Sequence, residues 1–193
     1  MKEKISVLAI SGSTRAKSSN HQLIHAISKR YADKISVIFF EGLTDLPYFN
    51  PDNDTDEPPV TVTAFREAVR AADAVLICSP EYAIGVPGVL KNAIDWTVGN
   101  MTFSQKPVAL ITAGTSGFHA HKSLLGTLLI IESKISEEMQ LIISAVKTKI
   151  DNSDNITHKE TLAAVDSLIA AMAAAVQGNK TISFLTPPPL MGA

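Results

Sequence analysis

The sequence predicts an α/β domain, a three-layer doubly wound fold on a five-stranded, mainly parallel sheet. Three observations predict it. Five short apolar runs rich in branched residues punctuate the chain, the pattern of strands buried on both faces. Segments with apolar residues at helical spacing separate them. Such alternation implies right-handed crossovers, which put helices on both faces of one sheet. No internal repeat, low-complexity segment or second core appears in the 193 residues. Residues 1–180 therefore read as one domain and 181–193 as an irregular tail.

The elements follow in order. Met1 to Ile10 is charged and then apolar, but the apolar run is short and Glu3 interrupts its start. It reads as a strand over Lys4 to Ile10 rather than a signal peptide. Ser19-Asn20-His21-Gln22 matches a capping box, and Leu23, Ile24, Ile27 and Tyr31 share one face, so a helix is expected over 20–32. Lys34 to Phe40 is the second strand. An acidic loop from Glu41 to Pro59 follows, holding Asp45, Asp52, Asp54, Asp56 and Glu57. It is long for a plain connection, which suggests a lid or subunit contact anchored by Tyr48 and Phe49. Val62, Phe65, Val69 and Ala72 mark the next helix, and Ala74 to Cys78 the third strand.

Pro80 to Pro87 reads as a loop and Gly88 to Trp96 as a helix. Val108 to Thr112 is the fourth strand, Ala113 to Gly117 a small-residue loop, and His119 to Ile131 a helix. Leu141 to Ser144 is the fifth strand. Thr157-His158-Lys159-Glu160 is a second capping box; its helix carries Leu162, Val165, Leu168, Ile169, Met172 and Val176 and stops at Gly178-Asn179. The tail beyond Thr181 holds Pro187-Pro188-Pro189 and is expected to be irregular or used in contacts.

Composition narrows the function. Hydrophobic residues make up 46% and charged residues 19%, with a formal net charge of −2. Nothing in that balance points to nucleic acid or a membrane surface, and no apolar run has the length of a membrane-spanning helix. Cys78 is the only cysteine, which excludes an intrachain disulfide and a cysteine zinc cluster. Cytoplasm is the expected location. His119 and His121 lack further ligands at metal spacing, so no metal site is expected. Cys78 ends a buried strand and reads as a small hydrophobe.

Chemistry gathers on three loops that leave carboxyl ends of strands and converge on one crevice. The first holds Ser11, Ser13, Thr14, Ser18 and Ser19, with Arg15 and Asn20, at the start of a helix. Free N–H groups and the helix dipole favour an anion there, and Arg15 adds a planar donor fork. Dinucleotide and P-loop glycine patterns are absent, so a phosphate monoester is the better match. The second loop, Ser79 to Gly88, is stiffened by Pro80, Pro87, Gly85 and Gly88. It is shaped to present backbone groups to a flat polar heterocycle, or simply to cap the following helix; its residues alone leave both open.

Ser11-Gly12-Ser13-Thr14-Arg15 with Ser18 and Asn20, together with Pro80-Glu81-Tyr82 and Pro87 to Trp96, closely resembles the NADPH-dependent FMN reductase family, over about the first two thirds of the chain. That family includes flavin, azo-dye, quinone and chromate reductases on a flavodoxin-like fold. The resemblance implies FMN as cofactor and NADPH or NADH as co-substrate. It places Ser11, Ser13, Arg15, Ser18 and Asn20 on the phosphate, and Pro80, Glu81, Tyr82, Ala83 and Ile84 along the ring edge. Gly114, Thr115 and Ser116 fall on the ring's other side. Ala83 and Ile84 depart from the family's Asn and small or polar residue, and Phe118 to Lys122 replaces a segment usually richer in Gly and Arg. The resemblance further implies a homodimer or homotetramer and a small-molecule acceptor: free flavin, a quinone, an azo compound or a metal oxyanion. No catalytic side chain is expected, because a flavin carries the chemistry. The alternatives are a one-electron carrier of the flavodoxin kind and a flavin-free binding module on the same fold.

Overall fold

The computed structural model describes residues 4–188. Five parallel strands, β1 (Ile5–Ser11), β2 (Ile35–Phe40), β3 (Ala74–Ser79), β4 (Val108–Gly114) and β5 (Gln140–Ser144), stand in the order β2-β1-β3-β4-β5. The intervening helices are α1 (Ser19–Arg30), α2 (Val60–Ala71), α3 (Gly88–Asp95) and α4 (Phe118–Ile130), and α5 (Lys159–Val176) closes the domain. The chain steps one way from β1 to β2 and the other way from β2 through β5. Right-handed crossovers then put α1 on one face and α2, α3 and α4 on the other. This is the flavodoxin-like architecture.

Burial explains the strand compositions. All six residues of central β3 are buried, and β1 is buried from Val7 onward. Edge strand β2 is half wet, with Ile38 exposed. Leu23, Ile24 and Ile27 of α1, with Val165, Leu168, Ile169 and Met172 of α5, belong to the same core as Val62, Phe65 and Val69 of α2, Leu90 and Ile94 of α3, and Leu124 and Leu128 of α4. β1 and β3 are neighbours without being consecutive. The strand order therefore reverses there, and a crevice opens beyond their carboxyl ends.

Several local expectations shift. Ser18, not Ser19, caps α1, its Oγ accepting from the Asn20 N–H at 3.2 Å. His158, not Thr157, caps α5, its Nδ1 accepting from the Thr161 N–H. Neither capping box forms: each helix starts one residue away from the expected register, so the partner three residues on is no longer Gln or Glu. Ala113 and Gly114 belong to β4 rather than to a loop, because they pair with Ile143 and Ser144 of β5.

The acidic loop is folded down rather than held out as a lid. Two single turns, Gly42–Asp45 and Pro51–Asn53, shape it. Asn92 and Trp96 hold it from α3: the Phe49 N–H donates to Asn92 Oδ1 at 2.7 Å, and Trp96 Nε1 donates to the Pro47 carbonyl at 2.8 Å. Arg66, buried, donates to Asp54 Oδ1 at 2.5 Å and to the Trp96 carbonyl. Phe49 packs edge-on against Trp96 and is an anchor, whereas Tyr48 is 93% exposed and does not hold the loop to the described residues of this chain.

At the other end, the tail lies along the segment before β5. The Leu185 N–H donates to the Ile135 carbonyl at 2.8 Å, and Phe184 pairs with Ser136. Pro189 and the residues after it, like Met1 to Glu3, lie outside the described residues.

Candidate active site

At the carboxyl end of the sheet lies a cleft of about 520 Å³, within the range usual for small-molecule sites. Four loops wall it. Arg15, Ser19 and Asn20 come from the β1 side, Pro80, Glu81 and Tyr82 from β3, Ala113, Gly114 and Thr115 from β4, and residues 145–148 from β5.

The first loop owes its shape to a close approach. A Cβ at Gly12 would stand 2.5 Å from Ser79 Oγ, so only glycine lets the loops after β1 and β3 run side by side. The Ser11 hydroxyl turns inward, accepting from the Ser13 N–H and donating to the Ser13 carbonyl at 3.2 Å. Ser18 is occupied as the cap. Asn20 is buried; its Nδ2 donates to the Ala113 carbonyl at 3.1 Å, and its Oδ1 accepts from the Cys78 thiol. Burial pushes that thiol well above its ordinary pKa, which leaves it no thiolate character.

Among the described residues, the backbone N–H groups of Arg15 to Ser19 have no partner within the chain. Of this segment, Arg15 and Ser19 line the cleft, as does Asn20. Ser11 and Ser18 thus shape the loop. Ser13 lies on the opposite side of the loop, where with Ser11 and Thr14 it lines a smaller cleft of about 210 Å³ beside His21 and His25. Its Oγ still reaches Tyr82 Oη at 3.4 Å.

The second loop is a two-residue hairpin turn. Tyr82 and Gly85 exchange N–H to C=O bonds of 3.0 and 2.9 Å, and between them Ala83 and Ile84 take φ of 50° and 63°. Such turns favour Asn and Gly, which tolerate positive φ. A β-branched residue there is strained. Ala83 and Ile84 form the tip and do not wall the cleft. Glu81 does, but its carboxylate is committed: Oε2 accepts from the Ala120 N–H at 2.8 Å, in the first turn of α4. The N-cap of α4 is Gly117, at φ 142°, and supplies no side-chain acceptor. Glu81 caps the helix from another loop, joining two walls of the cleft.

Gly114 and Thr115 stand on the third wall, whereas Ser116 does not. His119 is exposed and His121 buried, so the two rings diverge. His121 bridges β4 and β5, with Nδ1 2.9 Å from Thr112 Oγ1 and Nε2 2.9 Å from Gln140 Oε1. Gln140 donates its Nε2 to Glu137. The His121 proton therefore sits on Nε2, and Nδ1 accepts from Thr112. Burial lowers the His121 pKa.

The wall after β5 is absent from the sequence reading. The signal for it was topological: in a parallel sheet, the loop after the last strand opens at the same end as the others.

A doubly wound sheet in the order β2-β1-β3-β4-β5, with a cleft walled by the loops at its carboxyl end, defines a flavodoxin-like protein. A family model described as NADPH-dependent FMN reductase matches residues 5–148. The chain belongs to that family: it is an FMN-dependent oxidoreductase that uses NAD(P)H. A 2-hydroxy-1,4-benzoquinone reductase of Burkholderia sp is 30% identical over 184 residues, 91% of this chain and 98% of that protein. An NAD(P)H-dependent FMN reductase of Pseudomonas aeruginosa is 33% identical over 156 residues, 78% of this chain and 84% of its own. Among solved structures, the flavoenzyme FerB, an NAD(P)H:acceptor oxidoreductase from Paracoccus denitrificans, shares the fold. Its TM-score is 0.75 at 24% identity, covering 90% of this chain and 98% of FerB.

Proposed function

We propose that this chain takes two electrons from NADPH or NADH and delivers them to a small planar acceptor, a quinone foremost, at the cleft described above. The carrying observation is the start of α1: the N–H groups of Arg15 to Ser19 have no partner within the described residues, and Arg15 and Ser19 line a cleft large enough for a flat ring. It fits FMN: unpartnered N–H groups and one guanidinium suit a terminal phosphate, and the stiff β3 loop suits a ring edge. The quinone preference is supported by relatives whose names specify quinones.

When bound, FMN supplies the two-electron chemistry. The residues of this chain bind and orient. Arg15 and the N–H groups of 15–19 would hold the phosphate ester. Pro80, Glu81 and Tyr82 on one wall of the cleft and Gly114 and Thr115 on another would bound the ring, and the bond from Glu81 to Ala120 ties the β3 loop to α4. Glu81, the one carboxylate on the cleft wall among the described residues, is already bonded to a helix N–H. Proton transfer from the protein is no part of this reading. The open cleft lets the nicotinamide leave before the acceptor enters.

A homodimer or homotetramer in the cytoplasm completes the proposal. Exposed Tyr82, Ile84 and Phe118 near the cleft suit a neighbouring subunit. Among the described residues no helix is long and apolar enough to cross a membrane.

The test is a visible spectrum of the purified protein before and after NADPH or NADH is added without air. Flavin absorption that bleaches within seconds supports the reading. Protein that stays colourless after FMN is supplied overturns it. Arg15→Ala should weaken FMN binding on the order of tenfold or more; unchanged affinity would remove the phosphate assignment.

A further inference from the structure

The cleft wall contributed by β5 is a built turn. Ala145 follows the strand at φ 51° and ψ 39°, a left-handed conformation unfavourable for alanine. Its carbonyl accepts from both the N–H and the Oγ1 of Thr148, at 3.0 and 2.9 Å. Val146, buried, pins the turn to the core. Lys147 rides between these anchors and stands on the cleft wall, exposed to solvent.

Charge on the wall is unevenly committed. Arg30, Arg66 and Lys91 are each paired with a carboxylate elsewhere on the molecule. Among the described residues, Arg15 and Lys147 have neither an ion pair nor a hydrogen bond, and both face the cleft. Glu81 has its carboxylate bonded to the α4 N-terminus. The cleft therefore presents two available cations on separate loops, a match for a phosphate monoester with its roughly two negative charges.

We propose that Lys147 is a second cation of the cleft, binding a phosphate monoester brought in by the reaction's own nucleotides. The inference rests on the function proposed above. Two groups carry that chemistry: the terminal phosphate of FMN, which Lys147 would share with Arg15, and the ribose phosphate that distinguishes NADPH from NADH. A lysine on a short turn acts as a mobile point charge suited to either.

The experiment uses the whole protein with Lys147→Gln and Lys147→Arg. Lys147 is exposed, so neither change disturbs the core. Four constants are measured at low salt: the dissociation constants of FMN and riboflavin, and KM for NADPH and NADH. If Lys147 holds the FMN phosphate, Lys147→Gln weakens FMN on the order of tenfold and leaves riboflavin unchanged. If it holds the ribose phosphate, KM for NADPH rises by a similar factor while KM for NADH stays put. In either case Lys147→Arg retains most of the binding, and added salt shrinks the difference.

Four constants within twofold of the parent overturn the proposal. So does a loss shared equally by NADPH and NADH, or by FMN and riboflavin, because neither tracks the monoester. Failure of the parent protein to bind FMN or oxidise NAD(P)H is a separate result, which sinks the function itself.

Discussion

Two single residues control the geometry of the cleft loops. Gly12 lies where the loops after β1 and β3 nearly touch, and a Cβ there meets the buried Ser79 Oγ at 2.5 Å. Gly12→Ala should cost about 1–3 kcal/mol, the range for overpacking a tight interior. The urea midpoint reports it, and an unchanged midpoint would mean that the loops part freely. Ile84 shows the opposite case. It is β-branched, 70% exposed and held at φ 63°, so its side chain gains little burial while its backbone is strained. Ile84→Asn should raise stability by about 1 kcal/mol, because Asn tolerates this conformation. A thermal midpoint that does not rise contradicts that. Ala83 and Ile84 depart from the family pattern, and the positive φ of this turn is the physical reason Asn is favoured in it.

Among the elements, α3 and α4 carry the informative contacts. The Lys91 to Trp96 motif lies within the family resemblance, yet its Asn92 and Trp96 side chains hold the acidic loop down rather than face the cleft. α4 has no acceptor of its own at its N-terminus, and Glu81 provides one from the β3 loop. Removing a cap typically costs ~1 kcal/mol. Glu81→Ala should show that loss in denaturant and should also loosen FMN, since two walls would part. Glu81→Gln keeps an oxygen acceptor and should restore most of both. Equal damage from the two variants would show that the carboxylate's charge, not the cap, is what counts.

For the whole molecule, pH is the revealing variable. Burial holds the His121 pKa below the ordinary 6.5, so the folded state keeps this ring neutral where the unfolded chain protonates it. The unfolded state then binds more protons, and stability rises with pH across that window. Its contribution is present above about 6.5 and is lost as pH falls toward the lowered folded value. His21, also lowered by burial with His25 beside it, acts in the same direction. Urea midpoints between pH 7.5 and 5 should fall, and His121→Gln should flatten the slope. A parallel decline in that variant would exclude His121 as the source.

Much of this protein could be read without coordinates. Five apolar runs and the helical spacing between them are local patterns, and local patterns decide strands, helices and, through crossover handedness, the sheet. The hydroxyl-rich loop with Arg15 also pointed to the cleft at the start of α1, because a strand–helix turn places free N–H groups wherever it occurs. What each side chain does there was settled only by tertiary structure. Asn20 turned to Ala113, Glu81 to Ala120 and His121 to Gln140, and residues 145–148 closed the fourth wall. A polar group's partner depends on which strands stand side by side and in what register, and those neighbours lie up to 93 residues apart in the chain.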